Sequence, residues 1–134
     1  MVMDPPALAC RFPAHADQVA RARRAVVAYA REHGAIDPDG IAVAVSEAVT
    51  NAVVHAYVDA PAPGDVEVFA WRDPDDGLEV HVSDEGRGMM PRRDSPGIGV
   101  GLPLVATLAE NFQVEARLGG GTSVCMTFAV RDEA

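Results

Sequence analysis

The sequence predicts an α+β domain, a two-layer sandwich in which helices cover one face of a mostly antiparallel sheet. Three observations carry that expectation. Two segments in the first half repeat apolar residues at helical spacing, Val19, Ala22, Val26, Ala30 and then Ile41, Val45, Ala48, Val49, Ala52, Ala56. Val66, Val68, Ala70 and Leu78, Val80, Val82 alternate with polar neighbours on either side of an Asp73-Pro74-Asp75-Asp76-Gly77 turn. A second alternating pair flanks Gly119-Gly120-Gly121. With 134 residues, 49% of them hydrophobic, the chain is long enough for one domain with a real core, expected to span 1–134.

In chain order, Ala7 to Phe12 alternates and reads as an edge strand. A first helix is expected from about Asp17, in an N-cap position, to His33, closed by Gly34. Asp37-Pro38, a cap residue followed by proline at the first helical position, opens a second helix that runs to about Tyr57. Asp59 to Gly64 is a loop, and the first hairpin follows. Ser83 to Gly101 holds five Gly and two Pro in 19 residues, a density that excludes regular structure over most of the span and is typical of functional loops. Leu104, Val105 and Leu108 support a third helix over Leu102 to Asn111. Phe112 to Leu118 and Thr122 to Val130 then form the closing hairpin.

Composition excludes several functions. Asp and Glu number 20 against 11 basic residues, a formal charge of −9, so a cationic phosphate-binding surface and direct nucleic-acid binding are not expected. All 11 basic residues are Arg, which removes P-loop, Schiff-base and eukaryotic-kinase lysine chemistry. No apolar run approaches the roughly 18–20 residues that cross a bilayer, and Met1 to Arg11 lacks a secretory leader pattern, so no membrane association and a cytoplasmic location are expected. Cys10 and Cys125 stand far apart and outside any CxxC frame, as buried, reduced residues do.

Four clusters carry candidate chemistry. On the second helix Glu47, Asn51 and His55 recur every four residues and share a face, where a carboxylate and an amide one turn apart can serve as base and as oxygen ligand for Mg²⁺. Asp84 ends a buried strand and enters Glu85-Gly86-Arg87-Gly88, placed to accept a hydrogen bond from an amino group. Gly97-Ile98-Gly99-Val100-Gly101-Leu102 runs into a helix, and amides freed there suit phosphates. It is not the dinucleotide-binding fingerprint, because Leu102 stands where a third Gly would be and no strand precedes it. Gly120-Gly121-Thr122 precedes the last strand. Taken singly, a solvated helix face, a plain Asp turn and a hairpin turn would account for three of these clusters.

Their joint order resembles the GHKL superfamily of ATP-binding domains, which includes gyrase, heat-shock chaperone, histidine kinase and MutL types, over about residues 37 to 128. The run Ser46-Glu47-Ala48-Val49-Thr50-Asn51-Ala52-Val53-Val54-His55-Ala56-Tyr57 and the helix before it look more closely like the anti-sigma factor serine/threonine kinases of the RsbW and SpoIIAB kind. That resemblance implies a Bergerat-type ATPase fold, with ATP and Mg²⁺ as cofactors. It makes Asn51 the metal ligand bridging to the phosphates and Glu47 the general base. It assigns Asp84 to the adenine amino group, with Thr122 close by, Gly86 and Gly88 to the turn under the base, and Gly97, Gly99 and Gly101 to the loop near the phosphates. The short lid, Met90 to Pro96, holds Arg92 and Arg93, which with Arg87 are the nearby cations that either neutralise the phosphates or stand as solvated charges. His55 is a family-typical position for which packing and function are equally open.

About 36 residues precede the second helix, too few for the helix pair of a histidine kinase, and no transducer segment follows, so the small anti-sigma type is the expected member. The implied function is an ATP-dependent serine/threonine protein kinase that phosphorylates a STAS-type anti-sigma-factor antagonist and sequesters a sigma factor. The acidic balance suits basic sigma-factor surfaces, and Arg21, Arg23 and Arg24 read either as a partner contact or as a solvated face. The alternative is a regulatory module that binds nucleotide without phosphotransfer. Homodimerisation is left open by the residues.

Overall fold

The computed structural model describes residues 8–58, 60–86 and 102–131. Five strands form one sheet: β1 (Leu8–Pro13), β2 (Asp65–Asp73), β3 (Gly77–Asp84), β4 (Asn111–Ala116) and β5 (Thr122–Phe128). Their order is β1-β2-β3-β5-β4, and every neighbouring pair is antiparallel. Three helices, α1 (Val19–Glu32), α2 (Pro38–Asn51) and α3 (Leu102–Leu108), pack on one face. This is the α+β sandwich that the alternation and helical periodicities predict.

The sheet registers place the alternating residues on common faces. Val68 lies opposite Val82, and Val82 opposite Val124, so the apolar residues of β2, β3 and β5 form rows turned toward the helices. Val66, Val68, Leu78, Val80 and Met126 are fully buried there. From the other layer Ala22, Val26 and Ala30 of α1 and Ile41, Val45, Ala48 and Val49 of α2 meet them, each stripe as read from the spacing. No helix among the described residues is long and apolar enough to cross a membrane.

Element ends depart from the sequence reading in places that have physical causes. Asp17 does not cap α1: it sits inside a 3₁₀ turn, Ala16–Gln18, and Gln18 takes the N-cap position without a side-chain bond. The second helix is α only to Asn51, and Ala52–Ala56 form a π turn. Asp37 does cap α2, its Oδ1 accepting from the Gly40 N–H at 3.0 Å, with Pro38 next. α3 stops at Leu108, because Asn111 is already paired with Thr127 in the sheet. Of its apolar residues Val105 is fully buried, whereas Leu104 is 41% exposed. Cys10 and Cys125 are free thiols, as expected, but half-buried rather than buried, because each occupies a strand position only partly covered by its neighbours.

Candidate functional site

Asn51 ends α2 and is only 8% exposed. Its Nδ2 donates to the Glu47 carbonyl oxygen, one turn earlier, at 3.1 Å. With the amide nitrogen committed to the backbone, Oδ1 is the atom left to act as an oxygen ligand. Glu47 is half-buried on the neighbouring turn. His55, four residues on, lies within the π turn that follows the α-helical part of the segment.

Asp84, the last residue of β3, is 4% exposed. It lies directly opposite Thr122, the first residue of β5, itself 2% exposed. The carboxylate accepts from the Gly86 N–H at 2.9 Å and from the backbone N–H of Thr122. Arg117 Nη1 donates to the Asp84 carbonyl oxygen at 2.9 Å and its charge acts on the carboxylate. Burial nonetheless outweighs these stabilising contacts and raises the Asp84 pKa above the ordinary carboxylate value. A carboxylate so desolvated is an acceptor held ready for one further donor, as recognition of an amino group requires.

Two glycines let backbones meet around this acid. A Cβ on Gly86 would stand 2.0 Å from the carbonyl oxygen of Ala56, so the loop after β3 can lie against the π turn only without a side chain. Gly121 has φ +101°, and a Cβ there would stand 2.0 Å from the Asp84 carbonyl oxygen. The end of α2, the end of β3 and the start of β5 thus converge at one edge of the sandwich. An open cavity of about 440 Å³ is lined by Ala56, Tyr57, Gly64, Glu85 and Gly86 among others, and Asp84 and Asn51 do not line it.

Tyr57 holds this edge together and was not singled out by the sequence reading. Its hydroxyl donates to the Asp65 carbonyl oxygen at 2.6 Å and accepts from the Glu85 N–H at 2.9 Å, tying the exit of α2 to the start of β2 and the loop after β3. Arg117 likewise was not among the sequence candidates, whereas Gly121 belongs to the glycine cluster that was. The available signal was the glycine triplet, which placed Arg117 and Gly121 at a turn facing Asp84 only once strand pairing was known.

Of the sequence candidates, Asp84, Gly86 and Thr122 come into one cluster and Glu47 and Asn51 into a second, joined through the contact of Ala56 with Gly86. Gly88, Arg92, Arg93, Gly97, Gly99 and Gly101, together with Arg87, lie outside the described residues. The amide oxygen of Asn51 and the buried carboxylate of Asp84 have the acceptor chemistry that a hard cation and an amino group require.

Comparison with known proteins agrees with this geometry. The model of the histidine kinase-like ATPase domain matches residues 12–128. An anti-sigma F factor of Clostridium acetobutylicum is 33% identical over 132 residues, covering 87% of this chain and 88% of the relative. One of Caldanaerobacter subterraneus subsp. tengcongensis is 33% identical over 122 residues, with 79% and 81% covered. A third, from Thermoanaerobacter sp., is 31% identical over the same length. With a family match across nearly all of both layers and the acid, amide and glycines gathered at one edge, the chain belongs to the histidine kinase-like ATPase family.

Proposed function

We propose that this protein binds ATP with Mg²⁺, transfers the γ-phosphoryl group to a serine or threonine of an anti-sigma-factor antagonist of the STAS type, and sequesters a sigma factor in the cytoplasm. The observation that carries the nucleotide reading is the Asp84 carboxylate, 4% exposed and facing Thr122 and Gly86. The printed names of the relatives, anti-sigma F factor, support the sigma-factor part.

In this reading Asp84 accepts from the adenine amino group, Thr122 closes the same subsite, and Gly86 and Gly88 permit the base to lie against backbone. Asn51 supplies an oxygen to Mg²⁺, which when bound neutralises and orients the phosphates. Gly97, Gly99 and Gly101 offer amides to the phosphates, and Arg92 and Arg93 add positive charge. Glu47 takes the proton of the attacking hydroxyl as its oxygen bonds to the γ-phosphorus. The bond to the β–γ bridging oxygen breaks and ADP leaves.

The test has two stages. ATP is titrated calorimetrically, with and without Mg²⁺, into wild type, Asp84→Asn and Asn51→Ala. Mg²⁺-dependent binding lost in both variants is expected, and absence of binding to wild type overturns the reading. Labelled ATP is then incubated with the chain and a STAS-type antagonist. Label on a partner serine or threonine is expected, with at least a hundredfold loss in Glu47→Ala and retained ATP binding. Nucleotide-dependent partner binding with no label in wild type would instead establish a regulatory module without phosphotransfer.

A further inference from the structure

The face of the sheet turned away from the helices carries a chain of polar side chains that the nucleotide reading does not use. His81 on β3 and Cys125 on β5 are direct cross-strand partners, and Glu79 and Thr127 are the next pair on the same face. Cys125 Sγ lies 3.7 Å from His81 Nδ1. On the far side of the imidazole, Nε2 is 3.5 Å from Glu79 Oε1, and Thr127 Oγ1 donates to Glu79 Oε2 at 2.6 Å. Trp71 packs edge-on against the His81 ring with centroids 4.6 Å apart. The order is therefore carboxylate, imidazole, thiol, each held on a paired strand.

We propose that His81 Nδ1 and Cys125 Sγ form a binding site for a borderline or soft divalent metal ion of the Zn²⁺ and Cd²⁺ class, with Glu79 as a positioning residue. The span fits. A sulfur at about 2.3 Å and an imidazole nitrogen at about 2.0–2.1 Å from a tetrahedral Zn²⁺ stand about 3.6 Å apart, close to the 3.7 Å found here. The tautomer fits too. Glu79 beside Nε2 favours the proton on that nitrogen, which leaves the Nδ1 lone pair toward the sulfur, the arrangement in which a carboxylate orients a metal-binding histidine.

The surroundings favour a cation. On the Cys125 side of the pair, Cys125 and Glu79 line a concavity of about 390 Å³ with Trp71, Asp73, Asp76 and Glu110; His81 does not line it, and among the described residues neither does any arginine. On binding, the S–H bond breaks as the sulfur–metal bond forms, the proton leaves to solvent, and no electron changes hands. Among the described residues no three His, Cys, Asp or Glu side chains stand together as a metal cage, and an ion held by His81 and Cys125 alone therefore needs water to complete its coordination. Thiolate and imidazole select against Mg²⁺, which keeps this site distinct from a hard-cation site at Asn51.

The inference is independent of the proposed function and is tested by titrating Cd²⁺ into the full chain in excess Mg²⁺ without nucleotide, reading the thiolate-to-metal charge-transfer absorption. One Cd²⁺ per chain is expected, with the band lost in Cys125→Ser and kept in Cys10→Ser and in Asn51→Ala. Affinity should fall at least tenfold in His81→Ala and about tenfold in Glu79→Gln. A wild-type protein with no band, a band that survives Cys125→Ser, or an affinity unchanged in His81→Ala overturns the proposal and leaves the Cys125–His81 contact as a hydrogen bond. Circular dichroism of each variant separates a lost ligand from a lost fold, and the wild-type titration stands whatever the variants do.

Discussion

At the scale of single residues, Asp84 couples binding to stability. An acid whose folded pKa lies above its unfolded value holds more protons when folded in the window between the two. Stability therefore falls as pH rises through that window, and the cost is fully present above it. Asp84→Asn removes the charge and keeps the shape. Its expected melting temperature at neutral pH equals or exceeds wild type, with a flatter decline from acid to neutral pH, while ATP binding is lost. Thermal melts across that range check this, and a marked drop in melting temperature would mean that the carboxylate is needed as an acceptor for its two N–H partners. Asp84, Gly86 and Thr122 were legible in the sequence because each belongs to a short local motif. Tyr57 was not, since its two hydrogen bonds reach residues 8 and 28 positions away.

At the scale of elements, the entry of α2 was readable and its exit was not. Asp37 with Pro38 is a local chemical signal, and Asp37→Ala is expected to cost about 1 kcal/mol in urea unfolding. The π turn after Asn51 left no such mark, because one extra residue per turn over five residues hardly changes an apolar pattern as dense as Ala52-Val53-Val54. It nevertheless sets where Ala56 meets the loop after β3. Gly86→Ala brings a Cβ onto the Ala56 carbonyl, an atom of backbone that cannot rotate away. A loss of about 1–3 kcal/mol in the same unfolding experiment is expected, together with weakened ATP binding as the loop moves off the π turn. An unchanged stability would mean that this contact can open at no cost.

At the scale of the whole molecule, the core lies between one sheet face and the helices, and the interior strands β2, β3 and β5 supply its sheet side. Leu78 is fully buried at the start of β3, opposite Phe128, whereas Val114 on the edge strand β4 is 40% exposed. Leu78→Ala is expected to cost about 2–5 kcal/mol and Val114→Ala within about 0.5 kcal/mol, read from paired denaturant curves. Similar losses at both sites would place the core elsewhere than between these layers. Among the described residues no helix covers the other sheet face, and its half-buried residues form the polar chain from Thr127 to Cys125.

The sequence by itself determined the class of fold and the faces of its helices and strands, and it singled out Asp84, Asn51 and Gly86 as the residues on which the proposed nucleotide site rests. Those features are periodic or local, so they are written in residues a few positions apart. Only the tertiary structure decided that β5 lies between β3 and β4. That choice puts Thr122 opposite Asp84 on one face and Cys125 beside His81 on the other. Antiparallel pairing sets which distant residues become neighbours, and the register that fixes it follows from burying the apolar rows of β2, β3 and β5 against α1 and α2 together, a condition no single segment contains.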